Sequence, residues 1–494
     1  MTDLVLGIDI GTASSKATIA TADGDVRAVA AVEHPVSSPR PGWYEHDPET
    51  AWWSGVLRLL RELPSNDVRE VAALGVSGIG PCLLPCDAND RALRPAILYG
   101  IDTRATSEVG EIAARLGKDA ILERCGSRLS SQSLGPKLAW LRAREPQVFE
   151  AMRRWHMASS FVVARLTGEW VLDHHSASQC DPLYELEACS WIDEWVDSVV
   201  PGLPLPPLRW PSEVVGTVTP PAASTTGLRA GVPVVAGTVD AWAEAVSAGV
   251  RKPGSLMLQY GSTLFLILQG AVPHRHPSTW TTRSVDPDAF SAAAGLATGG
   301  LLVDWAVRLL GGDRDALTSG AATLPPGANG LLALPYFAGE RTPIFDPSAR
   351  GVIAGLTLRH GPEHVFRALL EATAYAVRHN LEALADEPPG AGVAVGGGTA
   401  SSLWLQIVSD ATGLTQTVPT ITIGASYGMA LLAAEGAGLA EAGISWARPA
   451  ATYCPAQNAT AYEELFEAYM QLYPTTRSIQ HRLANRQLDE GSTR

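Results

Sequence analysis

The first strand of the chain runs into a turn that combines a carboxylate, small hydroxyl side chains and a lysine. Asp9 lies inside the apolar stretch LVLGIDIG, which predicts a strand, and the turn that follows reads GTASSK. The groups that can surround phosphate oxygens there, which are backbone N–H, hydroxyl and ammonium, belong to Gly11, Thr12, Ser14, Ser15 and Lys16. Asp9 is predicted to hold Mg²⁺ through water, since Mg²⁺ dehydrates reluctantly. The alternative is an ordinary hairpin turn with a buried aspartate capping it.

Two later segments carry related chemistry. The stretch RKPGSLMLQYGSTLFLILQG (251–270) reads as strand, turn and strand, with Gly261, Ser262 and Thr263 in the turn. In VAVGGGTASS (393–402) an apolar strand enters a glycine-rich turn, whose candidate ligand contacts are Gly396, Gly397, Gly398 and Ser401. Glycines allow a flat ligand to approach the backbone, and a helix N-terminus favours phosphate. A plain hairpin and simple tight packing are the respective alternatives.

Asp240 follows another apolar strand and precedes an alanine-rich helix in GVPVVAGTVDAWAEAVSAGV (231–250). An aspartate at this place is either an N-cap of the helix or a general base at a lobe interface. As a base it would accept the proton of an alcohol that attacks phosphorus.

The elements that position these residues occur twice. Strand–turn–strand at the start of the chain and the short apolar run VAALGVSG (71–78) recur as 251–270 and 393–402, so a duplicated pair of lobes is the simplest account. We place the boundary near Gly249–Gly254. The predicted domains are residues 1–248, which bind the acceptor and carry the base, residues 249–480, which bind the nucleotide, and a tail at 481–494.

Composition excludes several classes of function. The 494 residues carry 37 Lys and Arg against 51 Asp and Glu, a formal charge of −14, with no basic run, so neither nucleic acid nor an anionic membrane is expected as a partner. No apolar run reaches 18 residues and the start is acidic, so we expect a cytoplasmic protein. The six cysteines lack zinc-ligand spacing and are expected to be buried free thiols.

These four segments, together with FAGERTPIFDPSARGVIAGL (337–356), resemble the FGGY family of carbohydrate kinases over essentially the whole chain. The resemblance implies an α/β fold of two ribonuclease-H-like lobes of the actin/hexokinase type with a central cleft. It implies that Asp9 and Asp240 lie at the metal, with Asp240 also the catalytic base, and that Mg²⁺ with ATP is the cofactor. It also implies that Gly11–Lys16 and Gly261–Thr263 bind phosphate and that Gly396–Gly398 with Ser401 contact adenosine.

Within the family the chain looks most like xylulokinases and related ketose kinases, but its acceptor pocket departs from them. After Ser77-Gly78, xylulokinases typically continue Gln-Met-His-Gly, whereas this chain has Ile79, Gly80, Pro81 and Cys82. The next acceptor motif, usually Trp-Asn-Asp followed by arginine, is YGIDTR (99–104) here. The candidate acceptor contacts are therefore Ile79, Gly80, Pro81, Tyr99, Asp102, Arg104 and Asp240, with ion pairing or core packing as the ordinary alternative for Tyr99, Asp102 and Arg104.

The predicted function is ATP-dependent phosphorylation of a small carbohydrate hydroxyl, with a pentulose such as D-xylulose as acceptor. Another ketose or polyol of the ribulose, erythrulose, erythritol or glycerol class is the alternative. A nucleotide-switched binding protein on the same fold is the rival of another class. The expected partners are thus the sugar and ATP, and the sequence leaves a homodimer open.

Overall fold

A computed structural model describes residues 3–456 and 459–491 of the chain. In the amino-terminal half the strands are β1 (Leu4–Ile10), β2 (Ser14–Thr21), β3 (Val26–Glu33), β4 (Glu45–His46), β5 (Val71–Gly78), β6 (Leu84–Cys86), β7 (Ala96–Ile97), β8 (Arg154–His156), β9 (Leu172–Asp173), β10 (Tyr184–Glu185), β11 (Ser190–Trp191), β12 (Leu208–Arg209), β13 (Val214–Thr217), β14 (Pro233–Val235) and β15 (Thr238–Val239). Its helices are α1 (Ser54–Glu62), α2 (Ser65–Glu70), α3 (Thr106–Leu116), α4 (Lys118–Cys125), α5 (Leu134–Arg144), α6 (Pro146–Ala151), α7 (Ala158–Thr167), α8 (His174–Ala177), α9 (Asp193–Val199), α10 (Pro220–Thr226) and α11 (Asp240–Ser247).

The carboxy-terminal half begins with the hairpin that repeats the start of the chain. Its strands are β16 (Leu256–Tyr260), β17 (Leu264–Gly270), β18 (Trp280–Arg283), β19 (Phe290–Leu296), β20 (Leu332–Leu334), β21 (Val352–Ala354), β22 (Ala391–Val395), β23 (Thr415–Pro419) and β24 (Pro449–Tyr453). Its helices are α12 (Gly300–Leu309), α13 (Arg314–Ala322), α14 (Pro362–Leu384), α15 (Ser402–Thr412), α16 (Ala425–Gly436) and α17 (Ala459–Gly491).

Two seven-stranded sheets in the described part of the chain share one topology. The first has the order β13-β14-β5-β1-β2-β3, with β15 also paired to β5, and the second has the order β18-β19-β17-β16-β22-β23-β24. In each sheet an antiparallel hairpin, β1–β2 or β16–β17, lies beside a parallel strand, β5 or β22. The duplicated strand–turn–strand pattern of the sequence therefore corresponds to a duplicated sheet, as expected for the actin/hexokinase-type fold.

The local signals in the sequence explain where several elements begin and end. The Asp47 carboxylate accepts hydrogen bonds from the N–H groups of Glu49 and Thr50 and so starts a π-helical turn (Pro48–Trp53) that leads into α1. Strand β5 is apolar along almost its whole length because both of its faces are covered. The carboxy-terminal helix α17 runs through residue 481, where the sequence predicts a tail, to Gly491, and residues 492–494 lie outside the described part of the chain.

The thiols differ in their exposure. Cys82, Cys86, Cys125 and Cys180 are buried, whereas Cys189 is partly exposed and Cys454 is exposed. The expectation of buried thiols therefore fails at Cys454. In the described residues, no helix has both the length and the apolar character needed to cross a bilayer.

Helix α16 connects the two halves of the molecule. It follows the second sheet in sequence, yet it packs on β1, β2 and β5 of the first sheet and on α11. Gly7 of β1 lies so close that an added Cβ would be 1.8 Å from the carbonyl oxygen of Ser426, and an added Cβ at Gly428 would be 1.8 Å from the carbonyl oxygen of Ala243. The predicted domains 1–248 and 249–480 remain a prediction, and residues 425–436 are packed on the sheet of the other half.

We expect Gly7→Ala to lower the free energy of unfolding by roughly 3 kcal/mol, because the methyl group cannot be accommodated without separating β1 from α16. Urea denaturation followed by circular dichroism would measure the change. Gly110→Ala is the matched control: Gly110 is exposed within α3, an added Cβ there has no atom within 4 Å, and the change should raise stability by about 0.5–1 kcal/mol. Equal stability of the two variants would contradict the close packing of α16.

Candidate functional site

A cleft of about 880 Å³ opens where the ends of β1, β5, β16 and β22 meet. Its walls come from both sheets and from the start of α11. The polar residues that line it include Asp9, Lys16, Tyr99, Ser127, Ser130, Gln132, Ser133, Gln179, Asp181, Asp240, Glu244, Gln259, Thr263, Thr282, Arg341, Thr399, Thr420 and Thr422. The cleft therefore brings together Asp9, Lys16, Tyr99, Asp240 and Thr263 from the sequence prediction.

Asp9 reaches the cleft because it is the second-last residue of β1. In the sheet it is paired with Lys16 of β2 on one side and Ser77 of β5 on the other. The Ser77 hydroxyl donates a hydrogen bond of 2.9 Å to Asp9 Oδ1. Burial raises the pKa of Asp9, while this hydrogen bond and the Lys16 charge lower it, and burial is the larger influence. Asp9 is thus a poorly solvated carboxylate oriented by a neighbouring strand.

Asp240 faces the same floor from the first turn of α11. It occupies the first helical position rather than the N-cap, and its Oδ1 accepts only a hydrogen bond of 2.7 Å from the adjacent N–H of Ala241. Burial, followed by the charges of Asp9 and Glu244, raises the pKa of Asp240 well above its usual range. Glu244 lies one turn further along α11, and burial together with the Asp9 charge raises its pKa to about 7. Three carboxylates thus share a site where their negative charges repel one another, which suits a ligand that brings a cation.

Each of the two hairpin turns is closed by a backbone hydrogen bond, and of their predicted phosphate contacts Lys16 and Thr263 line the main cleft, whereas Gly11, Thr12 and Ser14 are not among its lining residues. Gly11 N–H donates to the carbonyl oxygen of Ser14 at 3.0 Å, and Gly261 N–H donates to that of Thr263 at 3.0 Å. A second cavity of about 570 Å³ lies beside the main cleft. The predicted residues that line this second cavity are Gly261, Ser262, Gly397, Gly398 and Ser401.

The glycines after β22 separate the two cavities. Gly396 and Gly397 line the main cleft, whereas Gly397 and Gly398 line the second cavity. An added Cβ at Gly398 would be 2.8 Å from a ring carbon of Trp404 and 2.8 Å from the Cβ of Tyr260. Ser401 caps α15 by accepting a hydrogen bond of 3.3 Å from the N–H of Trp404. A flat group in the second cavity would therefore lie directly on glycine backbone.

The structure removes Ser15 from the predicted phosphate contacts. Its side chain is on the face of β2 opposite to Lys16, is fully buried, and lies 3.7 Å from the position of a Cβ on Gly55 in α1. The hydroxyl therefore lies in the core of the first half. Alternation along the strand, which sends neighbouring residues to opposite faces, is the reason.

The predicted acceptor contacts divide into two groups. Gly80 and Tyr99 line the cleft, and the Tyr99 hydroxyl lies 3.0 Å from that of Thr12 in the first turn. Ile79 and Pro81 are buried on either side of Gly80 and do not line the cleft. Only the backbone of this segment is thus available to an acceptor.

The prediction that Asp102 and Arg104 contact the acceptor is wrong. Arg104 donates to both carboxylate oxygens of Asp102 at 2.7–3.0 Å and to Glu45 at 2.8 Å, and both side chains of the Asp102–Arg104 pair are fully buried. The guanidinium lies 4.1 Å from the ring centre of Trp43. The Asp102 carboxylate also accepts the backbone N–H of Tyr44 at 2.7 Å. The pair therefore holds the 99–104 segment in place behind the cleft.

The structure also adds residues that the sequence did not reveal. Glu244, Asp181, Gln179, Thr282 and Arg341 line the cleft, as do the aromatic rings of Trp242, Phe265 and Trp280. Glu244 could have been noticed, since it is four residues after Asp240 and shares its helix face. Arg341, Trp242 and Phe265 lie in segments quoted above, but nothing in the sequence shows that their side chains reach the cleft. Asp181, Gln179, Thr282 and Trp280 lie outside those segments.

Comparisons with known proteins agree with this geometry. Residues 4–247 match the N-terminal domain of the FGGY family of carbohydrate kinases, and residues 256–437 match its C-terminal domain. The chain is 31% identical over 427 residues to the xylulose kinase of Escherichia coli (strain K12), covering 83% of this chain and 85% of that protein. It is 30% identical to a glycerol kinase of Nocardia farcinica (strain IFM 10152), covering 90% and 93%. The crystal structure of the xylulose kinase from Rhodospirillum rubrum superimposes with a TM-score of 0.89 at 32% identity, covering 97% and 100%.

The pH dependence of stability should report the buried Glu244 carboxyl. Its pKa rises from 4.5 to about 7 on folding, so the native state holds the proton more tightly and stability decreases as pH rises through this range. Between pH 4.5 and pH 8 the wild type should lose about 1–3 kcal/mol more of its unfolding free energy than Glu244→Gln. Urea denaturation at both pH values measures the difference. Glu111→Gln, at an exposed position of α3, controls for the loss of one carboxylate, and a wild type that loses no more than Glu244→Gln would contradict the shift.

Proposed function

Because the chain belongs to the FGGY family of carbohydrate kinases, which phosphorylate carbohydrates with ATP, we propose that its acceptor is a pentulose such as D-xylulose and that Asp240 is its general base. The observation that carries the proposal is the position of Asp240. Asp240 lines the cleft together with Asp9 and Glu244, and among the described residues its carboxylate makes no hydrogen bond to another side chain.

The residues fit Mg-ATP. The charge of Asp9 raises the pKa of Asp240, so a divalent cation beside these carboxylates would offset a repulsion that the protein alone leaves in place. The described residues contain no group of three His, Cys, Asp or Glu side chains placed to hold a metal ion. We therefore propose that Mg²⁺ takes its other ligands from phosphate oxygens and water.

The nucleotide would span both cavities. Adenosine is proposed to lie on Gly397, Gly398 and Ser401 in the second cavity, with the phosphates passing Gly396 into the main cleft. There the turn at Gly261–Thr263 and the turn at Gly11–Ser14 would donate N–H and hydroxyl groups, and exposed Lys16 would add charge. Magnesium bound to ATP withdraws charge from the γ-phosphoryl group during transfer.

Asp240 would take the proton as the acceptor oxygen attacks the γ-phosphorus. The new O–P bond forms, the bond between the γ-phosphorus and the bridging oxygen of ADP breaks, and the proton of the hydroxyl passes to the carboxylate. Burial beside Asp9 and Glu244 makes Asp240 a stronger base than an exposed aspartate, because its pKa is raised. The base must be ionised to act, and the cation that enters with ATP favours that form.

The acceptor pocket supports a small neutral carbohydrate. Tyr99, Gln132, Gln179 and Thr282 offer hydrogen-bonding groups, and aromatic rings line the wall. The segment at Gly80 contributes no imidazole, so one hydroxyl-reading side chain that xylulokinases typically carry is missing. A pentulose, tetrulose or related polyol is therefore the proposed class, and the similarity to a glycerol kinase keeps a shorter polyol as the second candidate.

Asp240→Asn should lower kcat by about 10²–10⁴-fold while leaving the affinities for ATP and acceptor within a few fold, since the amide keeps the shape but accepts no proton. Coupled-enzyme measurement of ADP release and calorimetric titration of ATP would test both parts. Retained turnover would contradict the role of Asp240.

Asp9→Asn is the variant to compare with Asp240→Asn, because both remove one carboxylate from the same cleft. It should raise the Mg²⁺ concentration needed for half-maximal activity, and excess Mg²⁺ should restore part of the rate, whereas Asp240→Asn should not respond to Mg²⁺. A normal Mg²⁺ requirement in Asp9→Asn would contradict the proposed place of Asp9.

Without the histidine, D-xylulose should be accepted but not uniquely favoured. A side chain that hydrogen-bonds one acceptor hydroxyl discriminates against acceptors that lack this hydroxyl, because the side chain is then left unpaired. Without this side chain, the enzyme should discriminate less between acceptors that differ in their hydroxyl groups. ADP release at saturating Mg-ATP across D-xylulose, D-ribulose, erythrulose, erythritol and glycerol measures this. A kcat/KM for D-xylulose that exceeds every other acceptor by more than about 10³ would show that other residues replace the histidine.

A further inference from the structure

Asp181 is a buried carboxylate that lines the cleft with no hydrogen-bond donor for its Oδ1 among the described residues. The residue is only 6% exposed. Burial raises the pKa of Asp181 well above its usual range, and in the part of the chain that the structure describes no cation or hydrogen bond offsets this effect. A buried carboxylate oxygen without a hydrogen-bond donor costs stability, so its presence at the wall of a cleft calls for a ligand.

A neighbouring aspartate shows how this fold satisfies a carboxylate that has only a structural role. Asp173 is also buried, but its Oδ1 accepts hydrogen bonds of 3.0 Å from both the Thr238 hydroxyl and the backbone N–H of Ser176. Asp173 thereby caps α8. Asp181 lies eight residues later, and its Oδ1 has no comparable partner within the described ranges.

The backbone holds Asp181 in position. Its carbonyl oxygen accepts the N–H of Gly135 at 3.0 Å, and that of Gln179 accepts the N–H of Leu134 at 3.2 Å, so the segment is fixed to the start of α5. An added Cβ at Gly135 would be 2.5 Å from the carbonyl oxygen of Asp181. Because its backbone is tied to a helix, the side chain projects from a fixed point of the wall.

Strand β18 supplies polar groups that also lack partners. It packs on the same segment, since His175 Nδ1 lies 2.8 Å from the carbonyl oxygen of Arg283 and the N–H of Arg283 donates to the Ser178 hydroxyl at 3.0 Å. Trp280 and Thr282 are two residues apart on the face that lines the cleft. Neither Trp280 Nε1 nor Thr282 Oγ1 has a hydrogen-bond partner in the described residues, and the same holds for Nε1 of Trp242 in α11.

Asp181 and strand β18 are anchored apart from the carboxylates of the floor. The Asp181 backbone is bonded to the start of α5, and β18 is bonded to Ser178, whereas Asp9 lies near the end of β1 and Asp240 begins α11. Asp181 therefore reaches the cleft from a different wall.

We propose that Asp181, with Thr282 and the indole N–H groups of Trp242 and Trp280, forms a second hydroxyl-binding subsite that holds the acceptor hydroxyls other than the one phosphorylated. This inference rests on the proposed function, since it places an acceptor in the cleft. A carboxylate accepts hydrogen bonds from two neighbouring hydroxyls, and the indole N–H groups donate to hydroxyl oxygens. A four- or five-carbon acceptor has more hydroxyls beyond the reacting one than glycerol has, so the subsite should favour the longer acceptors.

Kinetics with two acceptors would test the subsite. The long acceptor is the most rapidly phosphorylated of D-xylulose, D-ribulose, erythrulose and erythritol, and the short acceptor is glycerol. Asp181→Leu and Thr282→Val should each lower kcat/KM for the long acceptor by about 10–10²-fold, the effect of losing a buried hydrogen bond to substrate, and should change that for glycerol by less than about threefold. Calorimetric binding of the long acceptor should weaken by a similar factor, and the KM for ATP should stay unchanged.

Thr281→Val is the matched control. Thr281 is adjacent in β18 but points to the opposite face, where its hydroxyl donates to the carbonyl oxygen of His274, so the same substitution should leave the ratio between the two acceptors unchanged. Should Asp181→Leu fail to fold, Thr282→Val with this control still tests the subsite.

The outcomes separate the two proposals. Suppose that the wild type releases ADP in the presence of an acceptor. The subsite alone would then be overturned if glycerol were the preferred acceptor, or if Thr282→Val and Asp181→Leu changed kcat/KM equally for both acceptors or for neither. Absence of ADP release with every acceptor would overturn the proposed function, and the subsite with it.

Discussion

The site depends on a close backbone contact at the centre of the molecule. Helix α16 approaches β1 at Gly7 and α11 at Gly428, and at both places a Cβ would overlap a backbone carbonyl oxygen at 1.8 Å. The hydroxyls of Thr18 and Ser426 lie 2.8 Å apart across the same contact. Because α16 lies against both β1 and α11, it sets the relation between the strand that ends in Asp9 and the helix that begins with Asp240.

That contact brings together charges that would otherwise stay apart. Asp9, Asp240 and Glu244 are poorly solvated, and their mutual repulsion is built into the floor of the cleft. An enzyme that binds a metal–nucleotide complex gains from such an arrangement, since the cation relieves a repulsion that is present before binding. The buried Asp102–Arg104 pair does the opposite: its charges are fully compensated, and it fixes the wall that carries Tyr99.

Much of the catalytic floor could be predicted because it lies on local patterns. Three local sequence patterns can be recognised. They are the strand with Asp9 that leads into a glycine-containing turn, a second such turn at Gly261, and the strand that leads into glycines before α15. The prediction failed at Ser15 and at Asp102 and Arg104. The alternation of side chains along β2 places the Ser15 hydroxyl in the core. Asp102 and Arg104 pair with each other in the interior and so stabilise the wall of the cleft instead of contacting a ligand. Motif position shows that a residue is near a site, but the direction of its side chain depends on neighbours that are distant in sequence.

The sequence by itself determined the duplicated strand–turn–strand plan and singled out its turns and Asp240 as candidates for phosphate binding and for the base, because these depend on periodicity and turn chemistry within about twenty residues. Only the tertiary structure decided which side chains line the acceptor pocket. Asp181, Trp242, Thr282 and Arg341 come from four separate segments. Even for Trp242 and Arg341, which lie in segments with a recognisable pattern, the sequence does not show that the side chain reaches the cleft. Their convergence results from long-range packing of α8, α11 and β18 around the cleft, and whether a carboxylate such as Asp181 is left without a partner depends on every element that surrounds it.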